Sequence, residues 1–123
     1  MGKSVLLVDG NDLARNVIWD MLNFHNPPFK KQMAGNGVEA LRMMKSGFIP
    51  NIIICDVSMP VMSGIALFNA LAQSDHKIRW LFTAASFNYQ IRKFFYRVNE
   101  TVLTKPFRIK ELEKALEKIL AEE

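Results

Sequence analysis

The chain has 123 residues, which suits one compact domain, and we expect a single domain over residues 1–123. Half of the residues are hydrophobic and 23% are charged, a composition that excludes a disordered or fibrous chain, and no apolar run approaches the ~20 residues of a membrane-spanning helix. The formal net charge of +4 does not by itself identify a partner.

The first predicted strand–helix pair lies at the start of the chain. Ser4–Val8 is a short aliphatic run with the composition of a buried strand, and it leads into a polar turn. Asp12 is predicted to cap the helix that follows, because a side-chain oxygen there can accept a free N–H of the first turn. Apolar residues at helical spacing continue to Leu22, before Pro27 ends the element.

The second predicted pair is shorter. Residues 29–34 are long enough only for a weak strand, which we expect near an edge of the sheet. A turn at residues 35–37 then precedes a second helix that closes near Gly47. Its apolar positions are Val38, Leu41 and Met44.

The central strand carries the strongest signal in the sequence. Residues 51–57 contain a run from Ile52 to Cys55 with no alternation of apolar and polar residues, so this strand should be buried on both faces. A strand covered on both faces implies a parallel sheet. The apolar positions of the next helix are Ile65, Phe68, Leu71 and Ala72.

Two further pairs complete the predicted fold. Residues 78–84 predict a fourth strand with Ile78, Trp80 and Phe82 on one side, and Thr101–Thr104 predict the last strand. The apolar positions of the two remaining helices are Ile91, Phe94, Phe95 and Val98, and then Ile109, Leu112, Leu116 and Ile119. Five pairs in strict alternation predict an α/β fold, a doubly wound five-stranded parallel sheet with five helices on both faces.

The start of the chain and its cysteine usage both bear on location. Residues 1–3 lead directly into an apolar run, without the pattern of a signal peptide. The single cysteine, Cys55, cannot form an internal disulfide, which suits a reducing compartment. We therefore predict a cytoplasmic protein with no membrane partner.

Polar side chains stand at the ends of four predicted strands, the edge where ligands bind in such sheets. They are Asp9, Asp56 with Ser58 nearby, Thr83 and Lys105. We expect them to converge on one small patch, where a divalent cation or the lysine would relieve repulsion between the carboxylates. A hydroxyl and an ammonium beside a carboxylate can also hold phosphoryl oxygens, which suggests phosphoryl transfer onto an aspartate.

Four short motifs together resemble the response regulator receiver domain, the CheY-like family. They are Leu6-Leu7-Val8-Asp9, Asp56-Val57-Ser58-Met59-Pro60 followed by Ser63-Gly64, Thr83-Ala84, and Lys105-Pro106-Phe107. Each motif is weak alone, but the combination in this order of elements is specific, and it covers nearly the whole chain. The resemblance implies a flavodoxin-like fold and a signalling module of a two-component regulatory system, not an enzyme.

The resemblance also implies a phosphoprotein with a defined acceptor. Asp56 would accept a phosphoryl group from the phosphohistidine of a histidine kinase or phosphotransfer protein. Thr83, the Ala84 amide and Lys105 would bind the phosphoryl oxygens. The peptide bond before Pro106 would be cis, as is usual in the family.

A magnesium site is implied as well, with Asp9, Asp56 and the Ser58 carbonyl as ligands. The family normally has a second acidic residue after the first strand, and here that position is Gly10. Because a full charge is missing while Mg²⁺ accepts water in place of protein ligands, we expect Mg²⁺ to bind roughly tenfold to a hundredfold more weakly.

A second departure from the family is Val102, at a position where an aromatic residue usually reports phosphorylation to partners. Readout would then use other contacts, such as the fourth helix, where a downstream protein target could bind Phe87, Tyr89 or Tyr96. Ala85 brings no polar group that could direct an attacking water, so we expect slow hydrolysis of the phosphoaspartate.

Two other interpretations stay open. A pseudo-receiver that binds partners without phosphorylation would account for Gly10 and Val102, and retained site residues do not exclude it. A nucleic-acid-binding module would use Arg92, Lys93 and Arg97, but three basic residues are more often a solvated helix face, so we expect no nucleic-acid partner. The sequence names neither kinase nor target, and it leaves open whether the chain acts alone or within a longer regulator.

Overall fold

Five strands alternate with five helices over residues 3–122, which are the residues that the computed structural model describes. The strands are β1 (Ser4–Val8), β2 (Lys30–Ala34), β3 (Ile52–Asp56), β4 (Arg79–Ala84) and β5 (Thr101–Thr104). The helices are α1 (Asp12–Leu22), α2 (Gly37–Lys45), α3 (Gly64–Leu71), α4 (Tyr89–Arg97) and α5 (Ile109–Ala121). The predictions made for residues 1 and 2 and for a domain end at residue 123 lie outside the described residues.

All five strands are parallel and follow the order β2-β1-β3-β4-β5. This confirms the predicted doubly wound sheet and places β2 at an edge, as expected. The run from Ile52 to Cys55 is fully buried, because β3 is the central strand and has helices on both faces.

The core consists of two apolar layers, one on each face of the sheet. Leu6 and Val8 of β1 face α2, α3 and α4, whereas Val5 and Leu7 face α1 and α5. This follows from the alternation of side chains along a strand. Trp80 and Phe82 lie in the first layer with partly buried Ile78, as the sequence pattern predicts. In the part of the chain described, no helix has both the length and the apolar composition needed to cross a membrane.

Two predicted helix ends are wrong. Asn11, and not Asp12, caps α1, since its side chain accepts the Ala14 N–H at 2.8 Å and its backbone is extended, while Asp12 forms an ion pair with Arg15 at 2.6 Å. Val98 is not part of α4, because its backbone is extended at φ −115° and ψ 137°. It still packs against the core, as its apolar character requires.

Candidate functional site

Parallel strands bring their carboxyl ends to one edge of the sheet, and four polar side chains meet there. Asp9 directly follows β1, Asp56 ends β3, and Lys105 directly follows β5. Thr83 lies inside β4, one residue before its end, and is paired in register with Asp56 on the neighbouring strand. The sheet topology therefore brings together residues that are up to 96 positions apart in the chain.

Lys105 bridges the two carboxylates. Its Nζ donates to Oδ2 of Asp9 at 2.8 Å and to Oδ2 of Asp56 at 3.0 Å, and Asp9 is only 1% exposed. Burial lowers the pKa of the Lys105 ammonium, but the hydrogen bonds and the attraction of both carboxylates outweigh burial and raise it above its ordinary value. The lysine is therefore a permanent positive charge between two acids at neutral pH.

The remaining carboxylate oxygens accept backbone donors. Oδ1 of Asp9 accepts the Asn11 N–H at 2.9 Å, and Oδ1 of Asp56 accepts the Ser58 N–H at 3.1 Å. Each carboxylate thus has both oxygens hydrogen-bonded, which fixes its orientation toward Lys105. The Lys105 ammonium offsets one of the two negative charges, and the backbone N–H donors stabilise the remaining one.

Thr83 carries a buried hydroxyl without a partner. The residue is 1% exposed, and within the described structure its Oγ1 makes no hydrogen bond. Burying an unpaired hydroxyl costs free energy, so such a group in a site points to a ligand that would accept its hydrogen bond. Ala84, the next residue, accepts the Lys105 N–H on its carbonyl at 2.8 Å, which ties the end of β4 to the lysine.

Cys55 precedes Asp56 and donates from Sγ to the Asp56 carbonyl oxygen at 3.3 Å. Burial, together with the charges of Asp56 and Asp9, raises the pKa of the Cys55 thiol. The thiol therefore stays protonated, and Cys55 packs as a small hydrophobic residue in the core.

The oxygen donors at this edge are few but of the kind that Mg²⁺ prefers. Asp9 and Asp56 offer carboxylates and the Ser58 backbone could offer a carbonyl, and Mg²⁺ commonly binds one or two carboxylates while it keeps several waters. Residues 3–122 contain no group of three His, Cys, Asp or Glu side chains that could hold a metal ion. The donor set fits a magnesium ion that is largely hydrated.

Gly10 lies against the loop between β3 and α3. A Cβ atom built on Gly10 would be 2.9 Å from Cδ of Pro60, closer than a normal contact. Val61, the next residue in that loop, has a φ of 70°, which is rare for a β-branched side chain. The position at which the family has its second acid is therefore partly closed by this loop.

Arg15 and a groove beside the site were not predicted from the sequence. Arg15 donates to the carbonyl oxygen of Asp9 at 2.7 Å and holds the turn after β1; its spacing of three residues from Asp12 was the available signal. The groove has a volume of about 450 Å³ and runs from Lys105 along α1. Its apolar wall includes Leu13, which is 74% exposed, and Phe107.

A cis peptide bond and exposed aromatic side chains at α4 were also expected from the sequence, and both are present. The bond between Lys105 and Pro106 is cis, as the resemblance implied. Tyr89 and Tyr96 of α4 are strongly exposed, whereas Phe87 is partly buried against the core.

The strand order and the residues at the carboxyl edge of the sheet are those of a CheY-like receiver domain. Comparison with known proteins gives the same class. The family model of the response regulator receiver domain matches residues 5–117. The chain belongs to the response regulator receiver domain family.

Individual relatives place it within that family. The "Regulator of RpoS" of Escherichia coli (strain K12) is 30% identical over 98% of this chain, and the chain spans 35% of that protein's length. Chemotaxis protein CheY4 of Vibrio cholerae has a TM-score of 0.84 at 25% identity, covering 97% of this chain and 99% of CheY4. The receiver domain of sensor histidine kinase PA1611 from Pseudomonas aeruginosa, whose structure has a magnesium ion in the active site cleft, has a TM-score of 0.85 at 21% identity, with coverage of 98% and 99%.

Proposed function

We propose that this chain is the receiver domain of a two-component phosphorelay and accepts a phosphoryl group on Asp56 from the phosphohistidine of a histidine kinase or phosphotransfer protein. One observation carries the proposal. Asp56 lies 3.0 Å from the Lys105 ammonium and in register with Thr83, whose buried hydroxyl has no partner in the described structure. A carboxylate, a fixed cation and a free hydroxyl donor are the groups that a phosphoaspartate requires.

In the transfer step a carboxylate oxygen of Asp56 forms a bond to phosphorus, and the bond from phosphorus to the histidine nitrogen breaks. The electron pair of that bond stays on the leaving imidazole. Lys105 and the Thr83 hydroxyl would donate to the phosphoryl oxygens, together with the Ala84 amide. The unused donor of Thr83 would then gain the acceptor it lacks.

Asp9, Asp56 and the Ser58 carbonyl would hold Mg²⁺ in this site. When bound, the ion supplies positive charge that offsets both the carboxylates and the phosphoryl oxygens. We infer weak binding, because Gly10 contributes no carboxylate and Lys105 already offsets one of the two negative charges of Asp9 and Asp56.

The donor protein must reach Asp56 from the open edge of the sheet. We assign its docking surface to the groove along α1, because this groove begins at Lys105 and its wall contains exposed Leu13 next to Phe107. A helix that carries the phosphohistidine could bury these side chains while it presents the phosphoryl group to Asp56.

We further propose that the downstream target binds at α4. We also propose that the domain comprises residues 1–123, and that it works in the cytoplasm without a nucleic-acid partner.

Intact-mass analysis after incubation with acetyl phosphate and Mg²⁺ tests the acceptor. We expect the mass of one phosphoryl group to be added to the wild-type chain and not to Asp56→Asn, which has the same shape without the charge. No added mass, or equal labelling of the variant, would overturn the proposal.

A pseudo-receiver is the second candidate function. It is favoured by the ion pairs that Lys105 forms with both carboxylates and by the small residues Gly10 and Val102. Under this proposal the chain binds its partner without phosphorylation. Partner binding that is unchanged in Asp56→Ala, together with absent labelling, would favour it over the first proposal.

A further inference from the structure

A small pocket lies at the amino edge of the sheet, at the opposite end of the strands from Asp56. It has a volume of about 150 Å³ and is placed where α3 ends and where β4 and β5 begin. The residues that matter most for its chemistry are Phe68, Leu71, Ser74, His76, Trp80 and Glu100. No lining residue belongs to the phosphoryl site or to α4, so this pocket needs an explanation of its own.

Glu100 brings to this pocket a carboxylate that has no ion-pair partner in the described part of the chain. The positive charge of Arg79 acts on it, but the Arg79 guanidinium donates to the carbonyl oxygen of Ile119 at 3.2 Å and pairs with Glu122 at 3.4 Å. Burial raises the pKa of the Glu100 carboxyl above its ordinary value, and the attraction of Arg79 does not cancel this rise. The negative charge of Glu100 is therefore only partly compensated.

Aromatic rings form an apolar side of the pocket. The ring centroids of Phe68 and Trp80 are 5.1 Å apart, and the Trp80 ring stacks on that of Phe82 at 5.3 Å. Trp80 is 3% exposed, so packing holds its indole in place. Because an indole is the side chain whose π system attracts cations most strongly, these rings favour a ligand with positive charge.

The carboxyl end of α3 adds partial negative charge. Leu71 is the last residue of this helix and lines the pocket. Carbonyl groups in the last turn lack partners within the helix and carry the negative end of its dipole, and the last turn of α3 contains no basic side chain. Oγ of Ser74 donates to the Leu71 carbonyl at 2.8 Å and accepts the His76 N–H at 3.4 Å, which fixes the turn after the helix. This wall is thus formed before a ligand binds.

We propose that this pocket binds a guanidinium group, with Glu100 as its counterion and Trp80 and Phe68 as its aromatic contacts. A guanidinium is planar and weakly hydrated, pairs with a carboxylate through two N–H donors and stacks on rings, whereas an ammonium is compact and strongly hydrated. A volume of about 150 Å³ is large enough for this head group. Its source is either a free guanidino compound or an arginine side chain of another protein. The inference goes beyond the proposed phosphoryl transfer and does not depend on it.

The first test uses the full chain and methylguanidinium, with binding followed by amide chemical shifts and by the indole N–H signal of Trp80. We expect saturable shifts at Trp80, at Glu100 and at the end of α3, with an affinity in the millimolar range because the ligand is so small. Methylurea is also planar but has no charge, and we expect it to bind at least about tenfold more weakly. No saturable shift at these residues, or equal binding of methylurea, would overturn the inference.

The second test changes the counterion. Glu100→Gln removes the charge and keeps the shape, so it should weaken methylguanidinium binding by about tenfold. Glu117→Gln is the matched control, because Glu117 is exposed on α5 and does not line the pocket, and it should leave the affinity unchanged. Equal affinities of the two variants would rule out Glu100 as the counterion and with it the proposed site.

A short peptide with a single arginine between glycines distinguishes the two sources of the guanidinium. Binding at least as tight as that of methylguanidinium supports an arginine of a partner protein, since the peptide backbone is then tolerated outside the pocket. Weaker binding of the peptide supports a free guanidino compound, and binding of neither ligand overturns the inference. Labelling of Asp56 is scored separately by intact mass and should be the same in Glu100→Gln as in the wild type, so the failure of one proposal leaves the other standing.

Discussion

Lys105 and Asp9 are 96 residues apart in the sequence, yet Nζ of Lys105 donates to Oδ2 of Asp9 across 2.8 Å in a place where Asp9 is almost fully buried. The same ammonium reaches Asp56 at 3.0 Å. One cation therefore links the residue after β1, the last residue of β3 and the residue after β5. Contacts of a single side chain therefore hold three strand ends together at the candidate site.

Substitution of Lys105 by methionine should lower stability in a way that depends on pH. The variant leaves the carboxylates of Asp9 and Asp56 without their cation. We expect the free energy of unfolding to fall by about 2 kcal/mol at neutral pH, less than for a fully buried ion pair, because Asp56 and Lys105 are partly exposed. The pKa of Lys105 is raised in the folded state, so its contribution is complete below about pH 10.5 and is lost as the pH rises through the folded value. Urea unfolding of both proteins at neutral pH and in a series of increasing pH above 10.5, the ordinary pKa of a lysine, measures this.

The matched control for this prediction is Lys110→Met, at an exposed lysine of α5. It removes the same charge where no carboxylate is paired, and it should change stability little at either pH. A difference between wild type and the Lys105 variant that stays constant to high pH would contradict the prediction.

Gly10→Asp should strengthen Mg²⁺ binding and weaken the fold. The new carboxylate adds a charge next to Asp9, which should raise the affinity by roughly tenfold to a hundredfold. Its Cβ would be 2.9 Å from Cδ of Pro60, so the loop after β3 must shift, and we expect a cost of about 1 kcal/mol. Mg²⁺ titration followed by amide shifts and urea unfolding measure the two effects.

Gly10→Asn separates size from charge in this experiment. Asparagine has nearly the same volume, so it should carry the steric cost of aspartate without the added repulsion from Asp9 and without the gain in Mg²⁺ affinity. If aspartate and asparagine bind Mg²⁺ equally well, the missing charge is not what limits the metal site.

Much of the fold could be predicted because the signals were local and consistent. The unbroken apolar run of β3 indicates burial on both faces, and strict alternation of elements then leaves few topologies. The meeting of Asp9, Asp56 and Lys105 follows from that topology, since residues at the carboxyl ends of parallel strands share an edge.

Other features depend on contacts that no local pattern contains. Asn11 and Asp12 are both good caps, and the choice depends on Asp9 accepting the Asn11 N–H and on Arg15 pairing with Asp12. Helical spacing places Leu13 on the apolar face of α1 with Val17 and Met21. The first turn of α1 lies beyond the core, however, so Leu13 is exposed. Whether the Thr83 hydroxyl has a hydrogen-bond partner depends on every residue packed around it, which the sequence does not give.

Leu13→Ser should slow phosphoryl transfer from a donor protein and not from a small molecule. Leu13 lines the groove next to Lys105 and is 74% exposed, so its loss removes docking surface at little cost to folding. We expect the rate from a phosphotransfer protein to fall by about tenfold while labelling by acetyl phosphate is unchanged. Phe24→Ser is the control, because Phe24 is 73% exposed but does not line the groove. Equal effects of the two substitutions would argue against donor docking at α1.

Thr83→Val should stabilise the unphosphorylated chain and impair its phosphorylation. Valine has nearly the same shape as threonine, so it removes the buried hydroxyl that has no partner in the described structure without leaving a cavity. We expect the free energy of unfolding to rise by about 1 kcal/mol, measured by urea denaturation. The phosphoryl group would at the same time lose a hydrogen-bond donor, so labelling by acetyl phosphate should slow and bound beryllofluoride should be released more readily.

Thr83→Ser keeps the hydroxyl and should retain labelling, although it loses a methyl group from the core. If valine lowered stability and left labelling unchanged, the unpaired hydroxyl would have a structural role and no part in phosphoryl binding.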